Sequence, residues 1–137
     1  MVRRADPEFV TRVMRDPRVW KWVAEDGIVP EQFQHRSSET YFQFRNLGFV
    51  MFRRPTMTMA EIHVCMLKGA RGIEPFIFEC MEMMRAKGVR KFLAPIGDWN
   101  VAALRLARRC GYKEEGRITA AYVRDGKPRA MVMMGRR

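Results

Sequence analysis

Cysteine and histidine are scarce in this chain, and acidic residues are outnumbered. The three cysteines, Cys65, Cys80 and Cys110, are odd in number and widely spaced. That pattern suits neither a disulfide framework nor a zinc knuckle, so they read as buried thiols of a reducing compartment. His35 and His63 stand alone, too few for a His-based metal site, and no metal is expected. No apolar run approaches the ~18 residues of a membrane span. The opening Met-Val-Arg-Arg-Ala-Asp-Pro carries no apolar segment of signal-peptide type. A cytoplasmic location without a membrane partner is the expectation. Repeats, low-complexity tracts and linkers are lacking too, and residues 1–137 read as a single domain.

What is present is a balanced globular composition. Hydrophobic residues make up 47% and charged residues 30%, which argues for a packed core and against disorder. Lys and Arg number 26 against 15 Asp and Glu, a net charge of +11. Such an excess favours nucleic acid, an acidic protein or a phosphate-rich cofactor as partner. A solvated basic surface that keeps the protein soluble is the plain alternative.

Local pattern predicts ten elements. "DPEFVTRVMR" from Asp6 and "DPRVWKWVAEDG" from Asp16 each place Asp at an N-cap and Pro at the first helical position. Phe9, Val10, Val13, Val19, Trp20 and Val23 form the apolar side of these two short helices. Residues 28–39 read as a connection with one helical turn. "TYFQFRNLGFVMFRR" is a hairpin turning at Asn46-Leu47-Gly48. Residues 59–67 read as a third, central strand, with Glu61, His63, Cys65 and Leu67 on one face and Ile62, Val64 and Met66 on the other. A helix over Pro75–Lys87, a buried strand "RKFLAPI" and a helix from about Trp99 to Arg109, capped by Asp98, follow. Asp125-Gly126 then turns a closing hairpin. The order α-α-β-β-β-α-β-α-β-β is an α+β fold, a mixed sheet flanked by helices.

Three stretches resemble the GCN5-related N-acetyltransferase (GNAT) family. "EIHVCMLKGARGIEPF" matches the family's strand, Gly-containing loop and helix, where Arg/Gln-x-x-Gly-x-Gly/Ala is usual. In "DWNVAALRLARRCGY", Asn100, Ala103, Leu106 and Gly111-Tyr112 follow the family's Asn, small, aliphatic and Gly-aromatic pattern. The closing hairpin is the third match. "VMRDPRVWKWVAEDG" further resembles the N-terminal helices of small phage-encoded members, which would place the protein in a host cytoplasm. The resemblance implies a mostly antiparallel GNAT-like sheet and acetyl transfer from acetyl-CoA to an amine acceptor of unidentified kind: a small molecule, a protein or a modified nucleic acid. The family includes dimers, so a homodimer is an open expectation.

By that resemblance Glu61 occupies the position of the family's general base, with His63 two residues on. A backbone N–H among Cys65, Met66 and Leu67 would stabilise the oxyanion. Arg71, Gly72, Ile73 and Glu74 would face the CoA pyrophosphate at a helix N-terminus, where exposed N–H groups and the dipole favour an anion. Pro75 has no N–H to add. Asn100 would meet the pantetheine arm and Arg108 the adenosine phosphates. The family's acid Tyr falls at Ala107, and Ile73, Glu74 and Phe76 stand around a loop that is usually richer in glycine. These departures support a second reading: a GNAT-like scaffold with impaired catalysis that binds a protein or nucleic acid.

Overall fold

The computed structural model describes residues 2–137. A short strand β1 (Arg3–Arg4) precedes helices α1 (Pro7–Arg15) and α2 (Pro17–Val23), and a single 3-10 turn spans Pro30–Gln32. Strands β2 (Thr40–Phe44), β3 (Gly48–Arg53) and β4 (Met59–Met66) lead to helix α3 (Ile73–Arg85). Strand β5 (Lys91–Gly97), helix α4 (Val101–Arg109) and the hairpin β6 (Lys113–Arg124) and β7 (Lys127–Arg136) complete the chain. All seven strands join one sheet in the order β1-β2-β3-β4-β5-β7-β6, with β4 in the middle. Every pairing is antiparallel except β4 with β5.

Capping chemistry starts the N-terminal helices as the sequence suggests. Asp6 accepts from the Phe9 N–H at 2.9 Å, and Asp16 from the Arg18 N–H at 2.8 Å. Two expectations need correction. Helix α3 begins at Ile73, not Pro75, because a missing N–H costs nothing in a first turn whose donors are unpaired anyway. Asp98 does not cap α4; Asn100 does, its Oδ1 accepting from the Ala103 N–H at 3.2 Å. Asp98 instead accepts from Arg129 Nε at 2.9 Å and the Ala130 N–H at 3.3 Å, pinning the end of β5 to β7.

The sheet separates two apolar layers. On one face Phe52, Ile62, Phe92, Val132 and Met134 pack against α3 and α4 through Ile77, Met81, Met84 and Leu104. On the other, Tyr41, Phe49 and Cys65 pack against Phe9, Val10 and Val13 of α1 and Val19 of α2. The alternation predicted for residues 59–67 therefore holds: even positions face α3 and α4, odd positions face α1.

The parallel pairing of β4 with β5 runs only through Met59↔Lys91, Ala60↔Phe92 and Glu61↔Leu93. Pro95 accounts for the stop. The Asp98 N–H donates to the Ala130 carbonyl at 3.0 Å, so even residues of β5 hydrogen-bond β7 and odd residues face β4. The next rung would need an N–H from residue 95 for the Ile62 carbonyl, and proline has none. Beyond it the two strands part.

Candidate active site

The fork between β4 and β5 opens into a cleft of about 440 Å³. His63, Val64, Cys65 and Met66 form one edge, and Ala94, Pro95, Ile96 and Gly97 the other. Ile73 of α3 and Ala103, Leu106 and Ala107 of α4 line the side toward those helices; Val19, Trp22 and Val23 of α2 line the opposite side.

Register decides which backbone groups face this space. The Leu67 N–H donates to the Leu47 carbonyl at 2.6 Å. With β3 and β4 pairing Phe49↔Cys65 and Met51↔His63, the alternation of an antiparallel ladder spends the N–H groups of Cys65 and Leu67 on the hairpin side. Those two leave the set of expected oxyanion donors. Val64 and Met66 turn their N–H and C=O toward β5, beyond the last paired residues Glu61↔Leu93. Gly48 permits this packing: a Cβ there would sit 2.5 Å from Met66 Sδ.

The two expected catalytic residues are in contact but differently placed. Glu61 Oε2 lies 3.5 Å from His63 Nε2 and accepts from Arg53 through Nε at 3.1 Å and through Nη2. The His63 imidazole first, then the Arg53 guanidinium, hold the Glu61 carboxyl at about 2 despite partial burial. Glu61 stays ionised, has little proton affinity at neutral pH and does not line the cleft. His63 is the one of the pair that lines the cleft. Cys65 lines it too, but burial pushes its thiol up to about 12, leaving a neutral group poorly suited to nucleophilic attack. Cys80 and Cys110 are buried and free, as the spacing suggested. Among the described residues no three His, Cys, Asp or Glu side chains converge as a metal would need.

On the side of α3, Ile73 reaches the cleft, while Arg71 and Gly72 are exposed in the loop before it. Gly72 adopts a left-handed conformation, φ 66°, as the N-cap residue, a state glycine reaches at no steric cost. Glu74 bends away: its own backbone N–H and then Arg109 lower its carboxyl, and Arg109 Nε donates to Oε1 at 2.9 Å. The neighbouring Arg108 is exposed and does not line the cleft; Arg109 does. Asn100 lines it as well, yet its amide is already engaged as the α4 cap and in a 3.4 Å contact from Nδ2 to the Trp22 carbonyl.

Two tyrosines complete the lining. Tyr112, the aromatic of the Gly-aromatic pair, sits in the wall, but its hydroxyl donates to Met81 Sδ at 3.5 Å inside the core, and burial pushes its pKa up. Tyr122 escaped sequence reasoning and reaches the cleft from distant β6. Burial raises its pKa, helped by the charges of Glu25 and Glu61, so its hydroxyl remains a donor. Irregular pairing brings it there: β6 advances from Ile118 to Tyr122 while β7 moves only from Met131 to Arg129, with Ala120 at φ 54°. No local pattern announces such a bulge. Pro95 did carry a signal, since a proline in an otherwise buried strand marks a lost rung.

The seven-strand, mostly antiparallel sheet with its four helices matches the folds of GNAT acetyltransferases. No family model and no curated protein matches the sequence. Among solved structures, spermidine N-acetyltransferase from Vibrio cholerae in complex with CoA and spermine is similar, with a TM-score of 0.79 and 15% identity over 99% of this chain and 94% of that one. Ribosomal-protein-alanine N-acetyltransferase from Brucella melitensis gives a TM-score of 0.76 at 18% identity, covering 99% and 98%. A GNAT-family acetyltransferase from Streptococcus pneumoniae gives 0.72 at 14%, covering 99% and 97%. The likeness is one of fold.

Proposed function

We propose that this protein is an acetyl-CoA-dependent N-acyltransferase acting on an amine. The observation that carries the reading is the cleft itself: where β4 and β5 part, the N–H groups of Val64 and Met66 turn toward the gap beside an imidazole, and a helix N-terminus lies beyond. Those groups fit the cosubstrate. Val64 and Met66 present peptide-like partners for an amide-bearing arm, and the first turn of α3 offers N–H groups to a pyrophosphate. Glu74 narrows that cradle by drawing its own N–H, while Arg71 lies nearby in sequence to supply charge.

When bound, acetyl-CoA supplies an activated acyl group whose C–S bond breaks as the C–N bond to the amine forms. His63 takes the proton released by the amine, directly or through water. Ionised Glu61, clamped by Arg53, orients the ring. The Met66 N–H replaces the Cys65 and Leu67 donors as the group for developing negative charge on oxygen. With Ala107 in place of a tyrosine, no acid from α4 meets the departing thiolate. General acid help is worth about 10²–10⁴-fold, and a thiolate is a fair leaving group, so slow turnover is the expected consequence.

The test is a thermal shift with acetyl-CoA, with free phosphate as control, followed by thiol release with a panel of amines. A ligand at about 100 times its Kd adds about 2.7 kcal/mol, a rise of several degrees for a domain of this size. His63→Ala should retain the shift and lose most of the turnover. No shift at saturating acetyl-CoA would overturn the proposal and favour the binding-scaffold reading.

A further inference from the structure

The side of the cleft opposite α3 has a chemistry of its own. Trp22 and Val23 end α2, Trp99 follows β5, and Tyr122 arrives from β6. Trp99 and Tyr122 are held in place by a hydrogen bond and ring packing. Trp99 Nε1 donates to the Trp22 carbonyl at 2.9 Å, and Tyr122 meets the Trp99 ring edge-on with centroids 5.0 Å apart. The Arg124 guanidinium lies 4.8 Å over the same indole. Behind them, the Asp26 carboxylate accepts from the Asp125 and Gly126 N–H groups at 3.0 and 2.9 Å, tying the end of α2 to the hairpin tip. The result is an aromatic wall in the cleft that His63 also lines.

Both arginines that line the cleft are paired. The Arg18 fork is gripped by Asp16, Nη2 to Oδ2 at 3.0 Å and Nε to Oδ1 at 3.2 Å. Arg109, toward α3, is gripped by Glu74. Among the described residues no Asp or Glu lines the cleft. A second ammonium on an acceptor would lose water without finding a carboxylate in the lining, and would meet the Lys21 ammonium 5.3 Å over the Trp22 ring and the Arg124 guanidinium over Trp99. That is costly. An apolar body loses nothing there and gains contact with the rings.

We infer that the acceptor is a monoamine with an aromatic or similarly apolar body, lying against Trp22, Trp99 and Tyr122 with its amino group directed at His63. This rests on the transfer reading above for the reaction, though not for binding. The experiment compares 2-phenylethylamine, spermidine and a short peptide beginning with Ala, by calorimetric titration and by thiol release with acetyl-CoA. Phenylethylamine should exceed both others at least about tenfold in kcat/KM. Trp22→Ala, at a half-exposed position that tolerates truncation, should weaken its binding and raise its KM about tenfold, and Trp22→Phe should restore both. Preference for spermidine or the peptide overturns the inference. So does binding of phenylethylamine that Trp22→Ala leaves unchanged, or a failure to bind or acetylate it while acetyl-CoA still shifts the melting point. If acetyl-CoA itself fails to bind, the transfer reading falls, and the calorimetric arm decides the acceptor pocket alone.

Discussion

Glu61→Gln isolates the charge that holds the centre of the cleft in order. The amide keeps the shape of the side chain and one acceptor oxygen for Arg53, so the variant loses little besides the negative charge. The carboxyl is held at about 2 against an ordinary value of 4.5. At about 1.36 kcal/mol per unit of pKa that difference has an upper bound of about 3 kcal/mol. Arg53 is half exposed, and water screens the pair, which brings the expected contribution to about 1–2 kcal/mol. Because the folded-state value is depressed, this stability is fully present above pH 4.5 and is lost as the pH falls from there toward 2. Urea unfolding of both proteins at neutral pH should show Glu61→Gln weaker by that amount, equivalent to about 4–8 °C in melting point. The gap should close as the pH falls below the ordinary glutamate value, since protonation then removes the same charge from the parent protein. Other carboxylates titrate in both proteins and cancel in the difference. A gap independent of pH, or none at neutrality, would refute the clamp.

Two further substitutions probe the cleft walls. Pro95→Ala supplies the N–H missing from the fork. A new rung is worth about 1 kcal/mol, and the freer unfolded chain offsets it by about 0.4–1 kcal/mol. Stability should scarcely move, while the new amide at position 95 becomes protected from hydrogen exchange and the acetyl-CoA thermal shift shrinks. Rapid exchange of that amide would show that something other than the proline holds the strands apart. Gly97→Ala sets a Cβ 2.5 Å from Trp99 Cζ3, so the indole must swing out or β5 must shift. Overpacking of this kind typically costs about 1–3 kcal/mol. Tryptophan fluorescence should report a more exposed ring, and an unchanged spectrum with unchanged stability would count against the close packing.

Much of the fold was legible because its signals are local. Asp-Pro pairs start α1 and α2 through a carboxylate cap and a fixed φ, and Asp125-Gly126 turns β6 into β7 because both residues accept positive φ, 54° and 74°. Alternation along residues 59–66 sorted β4 into its two faces before any partner was known. The same local logic erred at Asp98, where an N-cap residue type was claimed by a distant partner, Arg129, leaving the cap to Asn100 two residues on.

The cleft depends on relations that local pattern does not encode. Sequence could name Glu61 and His63, but only the pairing of β3 with β4 shows which backbone donors are spent and which face open space. It could count Arg108 and Arg109 as outward residues, but only the packing of α4 beside α3 couples Arg109 to Glu74. The aromatic wall is the clearest case: Trp22, Trp99 and Tyr122 are far apart along the chain, and a bulge in β6 delivers the third. Local sequence determined where helices cap and strands alternate, because those energies act over a few residues. Tertiary structure decided the reach and chemistry of the cleft, because long-range register and burial set which groups remain unpaired.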